Sequence, residues 1–192
     1  MNKKLKSRII YLVVFIVLSF IAYYFPQKYQ DKATMLPVEK ETSQKKDKKP
    51  TTALVNATVT KVIDGDTFEV SMSGKLAKVR VIGINTPETV DPRKKVECFG
   101  VEASEKAKEI LTDKTVQLEN DTTQTDKDKY GRLLRYVKLP DTSDFGNLMI
   151  QEGYAYEYTY DTVYKKQTLY KGAQTKAELA KLGLWADGMC GN

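Results

Sequence analysis

The chain begins with a long apolar run. Residues 9–25 (IIYLVVFIVLSFIAYYF) carry no charged side chain, and four cations precede them: Lys3, Lys4, Lys6 and Arg8. A helix of that length spans roughly 25 Å, close to the roughly 30 Å of a bilayer's hydrocarbon core. Because such cations stay in the cytoplasm, everything after the run should lie outside the cell. The pattern predicts an uncleaved membrane anchor or, alternatively, a cleaved signal peptide.

A polar segment follows this run. Residues 26–52 are rich in lysine and poor in large aliphatic side chains, a composition typical of a flexible linker. Its lysines can serve solvation, or they can hold nucleic acid or another anionic polymer. We therefore expect three regions: a basic stub with an anchor or signal segment at 1–25, a linker at 26–52, and a globular domain at 53–192.

The globular part opens with three segments in which apolar and polar residues alternate. Two groups of turn-forming residues, 64–66 (DGD) and 73–75 (SGK), separate these segments. Alternation with a period of two is the pattern of a half-buried β-strand. The pattern predicts a meander of three strands, at 54–63, 67–72 and 76–84.

The period of the pattern then changes to that of a helix. Apolar residues share one helical face, opposite charged residues: Phe99, Ala103, Ala107, Ile110 and Leu111. This face predicts a helix at 99–112. The rest of the chain predicts strands at 116–118 and 133–139, a loop at 120–129 too charged to be core, and helices near 144–152 and 163–182. Five strands and these helices favour an α+β fold, a small Greek-key barrel packed on helices.

The charge of the chain is unevenly distributed. The net charge is +6, but residues 1–52 hold 11 Lys and Arg against 4 Asp and Glu, whereas residues 53–192 hold 20 against 21. The basic character therefore belongs to the N-terminal segment. Attraction of the globular domain for phosphate must come from local placement of cations rather than from a global positive field.

The absence of histidine excludes several kinds of active site. Without an imidazole the chain cannot build a Ser-His-Asp triad or a His-ligated zinc centre. Its two cysteines are too few for a zinc site made of cysteine alone. Catalysis would fall to Asp, Glu, Lys, Arg or Tyr, and a bound metal would have mainly oxygen ligands, which favours calcium or magnesium.

The two cysteines are Cys98 and Cys190. In an exported protein an even pair of cysteines indicates a disulfide, and two buried free thiols are the alternative. A disulfide here would tie the start of the predicted helix to the C-terminus. Closing a loop of that length stabilises a fold by roughly 3–5 kcal/mol in the chain-entropy model.

Three polar clusters carry the candidate chemistry: 64–67 (DGDT), Arg80 with 85–89 (NTPET), and 128–132 (DKYGR). Hydrolysis of a phosphodiester needs an activated water, cations at the phosphate oxygens and assistance to the leaving oxygen. Glu88 is the candidate general base, because a glutamate is ionised at neutral pH. Arg80 and Arg132 can each direct two N–H donors at phosphate oxygens. Each cluster alone is a weak signal, and their order and spacing give them weight.

Six runs taken together resemble the staphylococcal nuclease (thermonuclease) family. The resemblance extends over nearly all of residues 55–185, and the runs that carry it are, in order, VIDGDTFEV, KVRVIGINTPET, VECFGVEAS, DKYGRLLRYV, LMIQEGYA and AELAKLGLW. The resemblance implies a five-stranded OB-fold barrel packed against three helices. It also implies calcium-dependent cleavage of DNA and RNA that leaves 3′-phosphates.

The resemblance also implies a metal site. Asp66 resembles the family's calcium-ligating aspartate, and Asp64 lies beside it without ligating directly. Asn85 and the main-chain carbonyl of Thr86 match two further calcium ligands. The staphylococcal enzyme has an aspartate where this chain has Asn85, so the site loses one negative charge. We therefore expect weaker calcium binding, with a dissociation constant of roughly 10⁻⁴–10⁻³ M.

The remaining matched positions concern catalysis and substrate binding. Glu88 resembles the proposed general base of the family, and Arg80 and Arg132 resemble the arginines that neutralise the transition-state phosphate. Lys129 and Tyr130 match positions near the bound nucleotide. Tyr158 and Tyr160 resemble the base-stacking tyrosines, although a one-residue gap leaves a plain core or surface role as the alternative.

Two other classes of function remain as alternatives to an exported nuclease. One is a non-catalytic OB-fold module that binds single strands or a protein partner at the cell surface. The other is a structural protein of the cell surface. The discriminating feature is the set of Glu88, Arg80 and Arg132, which a binding module does not need. We expect a monomer that contacts DNA or RNA, and contacts the membrane only through its N-terminal segment.

Overall fold

The computed structural model describes residues 54–93 and 95–191. The predicted anchor or signal segment, the predicted linker, and the domain boundaries at 25 and 52 lie outside this part of the chain. Within the described residues, no helix is both long enough and apolar enough to cross a membrane.

The described chain contains seven strands, three α-helices and one short 3₁₀-helix. The strands are β1 (Leu54–Asp64), β2 (Thr67–Met72), β3 (Lys75–Val81), β4 (Ile84–Asn85), β5 (Thr115–Glu119), β6 (Leu133–Lys138) and β7 (Tyr156–Glu157). The helices are α1 (Gly100–Leu111), α2 (Phe145–Gln151) and α3 (Gln167–Leu179), followed by the 3₁₀-helix Gly183–Trp185.

Five of these strands close into a barrel in the order β1-β2-β3-β6-β5. The β3–β6 pair is parallel, and the other pairs are antiparallel, including the β1–β5 pair that closes the barrel. This is the five-stranded arrangement of an OB-fold. The predicted class, a barrel packed against three helices, is confirmed.

Alternate residues of the barrel strands point into one core. Phe68 and Val70 on β2 and Val79 and Val81 on β3 are essentially inaccessible to solvent. The edge of the Phe68 ring meets the Phe145 ring at the start of α2, with 6.5 Å between centroids. The same alternation that predicts the strands therefore builds the interior against which the helices pack.

The predicted strand at 76–84 is confirmed as far as Val81, but its continuation to residue 84 as one strand is wrong. β3 ends at Val81, and the separate strand β4 pairs with β7, which the sequence analysis did not predict. Gly83 lies between them with φ of +80°, and a Cβ there would stand 2.5 Å from the Tyr164 ring. The left-handed backbone and this close contact both require glycine, and they turn the chain out of the barrel. Asn85 ends β4, and Thr86 follows it directly.

The predicted helix at 163–182 is shorter than its pattern suggests. Helix α3 begins at Gln167, because the residues before it are engaged elsewhere: Tyr164 is buried and its hydroxyl contacts the Gly83 carbonyl oxygen, and the Lys165 amide donates to Asp121. After α3, Lys181 has φ of +52°, which ends the helical path.

The predicted polar loop at 120–129 contains one buried carboxylate, which corrects the view that the whole segment is too charged for the interior. Asp121 is 4% exposed and accepts hydrogen bonds from Tyr136 Oη (2.6 Å), Lys165 N (2.8 Å) and Thr123 N (2.8 Å). Burial tends to raise the pKa of Asp121, but these hydrogen bonds outweigh burial and hold the pKa below its ordinary value. Asp121 thereby connects the loop to the barrel and to the segment before α3.

Cys98 and Cys190 form a disulfide, with 5.4 Å between their Cα atoms. The predicted pairing is confirmed, and the alternative of two free thiols is wrong. The bond joins the residues just before α1 to the last residues of the described chain.

Candidate active site

All candidate residues other than the two cysteines line one cleft, whose volume is about 800 Å³. These residues are Asp64, Asp66, Arg80, Asn85, Thr86, Glu88, Lys129, Tyr130, Arg132, Tyr158 and Tyr160. Glu88 and the two arginines therefore do not face separate clefts. The geometry meets the first requirement of a shared site, which is that the candidate base and both arginines border the same space.

Asp66 is held at the cleft by the hairpin between β1 and β2. Its Oδ2 accepts a hydrogen bond from the Thr86 amide at 3.0 Å, and its Oδ1 accepts one from Thr67 Oγ1 at 2.9 Å. Gly65 permits this approach, because a Cβ at that position would lie 2.6 Å from Thr86 Cγ2. The DGD turn therefore has a tertiary role: it lets residues 20 positions apart in the sequence share one hydrogen bond.

Arg80 is more tightly engaged than its sequence position suggests. Its Nη1 donates to the carbonyl oxygens of Val81 and Ile84, at 2.7 Å each. Its Nη2 lies 3.0 Å from Asp66 Oδ2 and 3.1 Å from Asn85 Oδ1. Both terminal nitrogens thus already donate to protein oxygens. For Arg80 to direct two donors at a phosphate, it must first give up some of these acceptors.

Oxygen atoms suited to a hard cation gather around the same arginine nitrogen. The Asp66 carboxylate and the Asn85 side-chain oxygen both lie within hydrogen-bond distance of Arg80 Nη2, so they face a common positive charge. Among the described residues, no group of three or more His, Cys, Asp and Glu side chains is placed to hold a metal. The candidate oxygens here are instead one carboxylate (Asp66), one side-chain amide (Asn85) and one main-chain carbonyl (Thr86). Calcium accepts ligands of all three types. The residues present therefore fit a calcium ion by their chemistry.

Asp64 lies beside this oxygen set and is buried. Its Oδ1 accepts hydrogen bonds from Gly65 N at 2.8 Å and Thr89 Oγ1 at 2.9 Å. Burial raises the pKa of Asp64 to about 6; those two hydrogen bonds oppose the shift, and the charges of Asp66 and Glu88 add to it. The pKa of Asp64 is thus sensitive to the charges of its neighbours.

Glu88 presents its carboxylate from the loop after β4. Its Oε1 accepts hydrogen bonds from the amides of Val90 (2.7 Å) and Asp91 (3.1 Å). Partial burial tends to raise the pKa of Glu88, but the backbone amides outweigh burial and lower the pKa below its ordinary value. Glu88 is therefore fully ionised at neutral pH, the state that a general base needs before it accepts a proton.

Arg132 is positioned by its own loop. Asp128 Oδ1 accepts hydrogen bonds from the amides of Tyr130 and Arg132, at 2.9 and 3.0 Å, and Asp128 Oδ2 lies 2.6 Å from Arg132 Nε. Burial tends to raise the pKa of Asp128, and these bonds to Arg132 and Tyr130 lower it below its ordinary value. The Arg132 side chain is 28% exposed, against 13% for Arg80. Arg132 is thus the arginine that is more open to a ligand.

The candidate substrate-binding tyrosines are exposed aromatic surfaces. Tyr130 is 72% exposed and lies between two cations, with its ring centroid 5.1 Å from Lys129 Nζ and 5.3 Å from the Arg132 guanidinium carbon. The rings of Tyr158 and Tyr160 are 6.3 Å apart, and these residues are 42% and 69% exposed. A role in the hydrophobic core is therefore wrong for Tyr158 and Tyr160, and a surface role at the cleft remains.

The cleft carries a balanced set of charges, including some that the sequence analysis did not single out. Its cations are Lys78, Arg80, Lys127, Lys129 and Arg132, and its carboxylates are Asp64, Asp66, Glu88, Asp128 and Asp161. Lys78, Lys127 and Asp161 were not predicted, since nothing in their local sequence marks them as different from other surface charges. Thr89, which anchors Asp64, belongs to the NTPET cluster, but its spacing gave no sign of that contact.

Comparison with known proteins places this arrangement among nucleases. Residues 78–187 match the family model described as Staphylococcal nuclease homologue. The chain is 41% identical over 129 residues to the Thermonuclease of Staphylococcus hyicus, an alignment that covers 67% of this chain and 75% of that protein. It is 38% identical over 136 residues to Endonuclease YncB of Bacillus subtilis, covering 69% and 63% of the two chains. It is 31% identical over 133 residues to an uncharacterized endonuclease of Escherichia coli, covering 69% and 78%.

Proposed function

We propose a calcium-assisted reaction for this chain, which belongs to the family of staphylococcal nuclease homologues and is therefore a nuclease acting on nucleic acid. The proposed reaction is hydrolysis of phosphodiester bonds in DNA and RNA with 3′-phosphate products. The observation that carries the proposal is the convergence of Glu88, Arg80 and Arg132 on the cleft that also contains Asp66.

Glu88 is proposed as the general base. A water molecule loses a proton to the Glu88 carboxylate while its oxygen attacks the phosphorus. The bond between phosphorus and the 5′ oxygen then breaks, and that oxygen leaves as a hydroxyl once it takes up a proton. The hydrogen bonds from Val90 and Asp91 support this role, because they help to keep the carboxylate ionised and hold its Oε1 in place.

The two arginines are proposed to neutralise the charge that develops on the phosphate. Guanidinium groups bind phosphate through paired N–H donors, which lysine cannot do. The greater exposure of Arg132 supports a direct contact with substrate in the free enzyme. Arg80 Nη2 now donates to both Asp66 and Asn85. It becomes available to a phosphate only when another cation binds these oxygens in its place.

Calcium is proposed as the cation that replaces Arg80 at the oxygens of Asp66 and Asn85. Asp66, Asn85 and the Thr86 main-chain carbonyl would hold it, with Asp64 nearby, and the bound ion would supply positive charge to the phosphate. The charge balance of the cleft supports this view, because its five cations and five carboxylates alone give no net attraction for a polyanion. Only one of the three proposed ligands is a carboxylate, so we expect weak binding, with a dissociation constant of roughly 10⁻⁴–10⁻³ M.

The exposed aromatic residues are proposed to hold the substrate. Lys129 and Tyr130 would contact the nucleotide next to the cleaved bond, and Tyr158 and Tyr160 would stack on bases. Stacking on an aromatic ring is tolerant of base identity, at roughly 1–3 kcal/mol per base. This tolerance is in keeping with an enzyme that accepts both DNA and RNA.

The enzyme is proposed to act outside the cell, either anchored by residues 9–25 or released after cleavage of that segment. The disulfide supports an oxidising compartment, because such bonds are rare in the cytosol. Fractionation of cells that express the chain, followed by immunodetection in membrane, medium and cytosol, tests this location. Recovery in the cytosol alone would contradict it.

A calcium titration tests the chemistry. The purified full chain is incubated with end-labelled DNA and RNA at calcium concentrations from zero to 10 mM (about ten times the weakest affinity expected), with EGTA and magnesium as controls. We expect cleavage of both nucleic acids that requires calcium, is not restored by magnesium, and leaves 3′-phosphates. Undiminished cleavage in EGTA would contradict the metal proposal, and 5′-phosphate products would contradict the proposed bond.

A further inference from the structure

We propose that Glu97 is a positioning residue that holds Glu88 in the cleft, and that the Cys98–Cys190 disulfide keeps Glu97 in place. The proposal rests on the assignment of Glu88 as the general base. Glu97 does not line the cleft and would not touch the substrate. It would act through the backbone of Glu88.

Two hydrogen bonds bracket the backbone of Glu88. The Glu97 amide donates to the Glu88 carbonyl oxygen at 2.9 Å, and the Glu88 amide donates to Glu97 Oε2 at 3.0 Å. One residue thus satisfies both polar backbone groups of the candidate base. Because both groups are fixed, the direction in which the Glu88 side chain leaves the backbone is fixed as well.

The start of helix α1 packs against the loop that carries Glu88. At Gly100, the first residue of α1, a Cβ would lie 3.1 Å from the Pro87 carbonyl oxygen, 3.3 Å from the Glu88 carbonyl oxygen and 2.8 Å from Thr89 Cγ2. The loop and the helix backbone are therefore as close as a glycine allows. The Gly100 amide also donates to the Glu97 carbonyl oxygen at 3.0 Å, which joins Glu97 to the start of the helix.

The residue after Glu97 is covalently held. Cys98 is bonded to Cys190, and Phe99 packs its ring 5.5 Å from that of Tyr154 while its backbone adopts φ of +64°. A left-handed conformation is costly for a phenylalanine and persists only where the surrounding contacts impose it. Glu97 is itself exposed to solvent, so the two hydrogen bonds that join it to Glu88 are weak by themselves. The disulfide and the Phe99 contact limit how far Glu97 can move.

Such support matters because most hydrogen bonds to the Glu88 carboxylate come from its own loop. The Val90 and Asp91 amides, which donate to Oε1, move with the loop, and the Asp64 side chain is a partner from outside it. If the loop shifts, the carboxylate shifts with it. A displacement of about 1 Å at a catalytic group can lower a rate by up to about 10²-fold.

Two conservative variants separate position from charge. Glu97→Gln keeps an acceptor oxygen at the same reach, whereas Glu97→Asp keeps the charge but draws the oxygen back by one methylene. We expect kcat to fall by about tenfold in Glu97→Asp and by less than about threefold in Glu97→Gln, with KM nearly unchanged in both. Equal losses in the two variants, or a larger loss in Glu97→Gln, would overturn the proposal. Glu102→Gln and Glu102→Asp, on the exposed face of α1, are the matched controls.

A second background shows whether the effect passes through Glu88. In a Glu88→Gln enzyme the base is already absent. Adding Glu97→Asp to this enzyme should therefore lower kcat by less than about a further twofold. If Glu97→Asp lowers kcat equally in both backgrounds, its role is general and the positioning proposal fails. If Glu88→Gln alone retains full activity, the base assignment fails instead, so the two failures are distinguishable.

The disulfide is tested by replacing both cysteines with serine. We expect kcat of the Cys98→Ser, Cys190→Ser double variant to fall by about threefold with KM nearly unchanged, measured well below its melting temperature. In this double variant, Glu97→Asp should lower kcat by a smaller factor than it does in the parent chain. An unchanged kcat in the double serine variant would overturn the tethering part of the proposal.

Discussion

The glutamate loop (residues 86–91) and the arginine loop (residues 126–132) both contribute to the cleft, but they are held by contacts of different range. In the glutamate loop, the Thr86 amide donates to Asp66, 20 residues earlier, and the Glu88 amide donates to Glu97, nine residues later. The arginine loop closes on itself, since Asp128 accepts hydrogen bonds from Tyr130 and Arg132 and donates its amide to the Arg132 carbonyl oxygen. One loop is placed by the fold, and the other by its own sequence.

This difference implies that the two halves of the site respond to different disturbances. A change in the barrel or in α1 should reach Glu88, because the backbone of the glutamate loop is also hydrogen-bonded to Asp66 and Glu97, which lie outside the loop. The same change should leave Arg132 in place relative to Asp128. A change within residues 126–132 should have the opposite effect.

The strongest test of the glutamate loop is Glu88→Gln. Glutamine keeps the acceptor for the Val90 and Asp91 amides, so the loop should keep its shape while the base is lost. We expect kcat to fall by about 10²–10⁴-fold at an unchanged melting temperature, measured by cleavage of a labelled oligonucleotide. Glu69→Gln, on β2 outside the cleft, should stay within about twofold of the parent. A fully active Glu88→Gln enzyme would refute its role as base.

The arginine loop is tested by Arg132→Lys. The charge remains but the paired donors are lost, so kcat should fall by about 10²–10³-fold with little change in stability. Arg135→Lys, on the adjoining strand β6, is the matched control, because Arg135 pairs with Asp126 and lies outside the cleft. A loss at Arg135 as large as that at Arg132 would contradict a specific role.

Arg80→Lys sharpens the contrast between the two arginines. It removes donors from the carbonyl oxygens of Val81 and Ile84, so the variant should lose stability as well as activity. We expect the free energy of unfolding to fall by about 1–3 kcal/mol, measured by urea denaturation. If Arg80→Lys and Arg132→Lys have equal stability, Arg80 does not have the structural role described.

Two glycines, Gly65 beside the glutamate loop and Gly131 in the arginine loop, are required for different reasons. Gly65 is needed for space, since a Cβ would lie 2.6 Å from Thr86 Cγ2, whereas Gly131 has open space but φ of +81°. Gly65→Ala should lower the free energy of unfolding by about 1–3 kcal/mol. Gly65→Asn should lower it further, because the asparagine side chain is larger. Gly131→Ala should cost about 1 kcal/mol, and Gly131→Asn less, since asparagine tolerates this backbone conformation. Urea denaturation of the four variants checks the order; Gly131→Asn less stable than Gly131→Ala would contradict it.

An effect of similar size to that at Gly131 concerns the pH dependence of the arginine loop. The pKa of Asp128 is lower in the folded protein than its ordinary value of 3.8, so its stabilising contribution is present above pH 3.8. That contribution is lost as the pH falls through the folded-state pKa. Asp128→Asn should therefore lower stability by about 1 kcal/mol at pH 6, and the difference from the parent should shrink below pH 3.8. Melting temperatures from pH 2.5 to 6 (roughly the range over which such a group titrates) would show a constant difference if Asp128 makes no such contribution.

The same contrast explains which features could be predicted from the sequence. Asp128, Gly131 and Arg132 interact across four residues, so the DKYGR cluster could be identified from contiguous sequence. The barrel strands follow from alternation, because burial of one face imposes it. The break at Gly83 could not be predicted, since Tyr164 lies 81 residues away and takes the space that a side chain would need.

Other misses have the same origin. Asp121 lies in a segment with the composition of a surface loop, and only its folded neighbours Tyr136 and Lys165 make its burial favourable. Arg80 could be identified as a cation near the site, but its contacts with Asp66 and Asn85 depend on where the chain turns after β3. Pairing of β4 with β7 involves two residues on each side, too few for any periodicity.

The disulfide also determines how the domain would respond to mechanical force. Cys98 and Cys190 are 92 residues apart, so the bond encloses all the helices and strands from α1 to α3 in one covalent loop. Tension applied between residue 54 and residue 191 would pass along β1, β2 and β3 and then cross directly to the C-terminal end. Stretching could then unravel the first hairpins, while roughly 300 Å of contour length would stay closed until a reductant opened the bond.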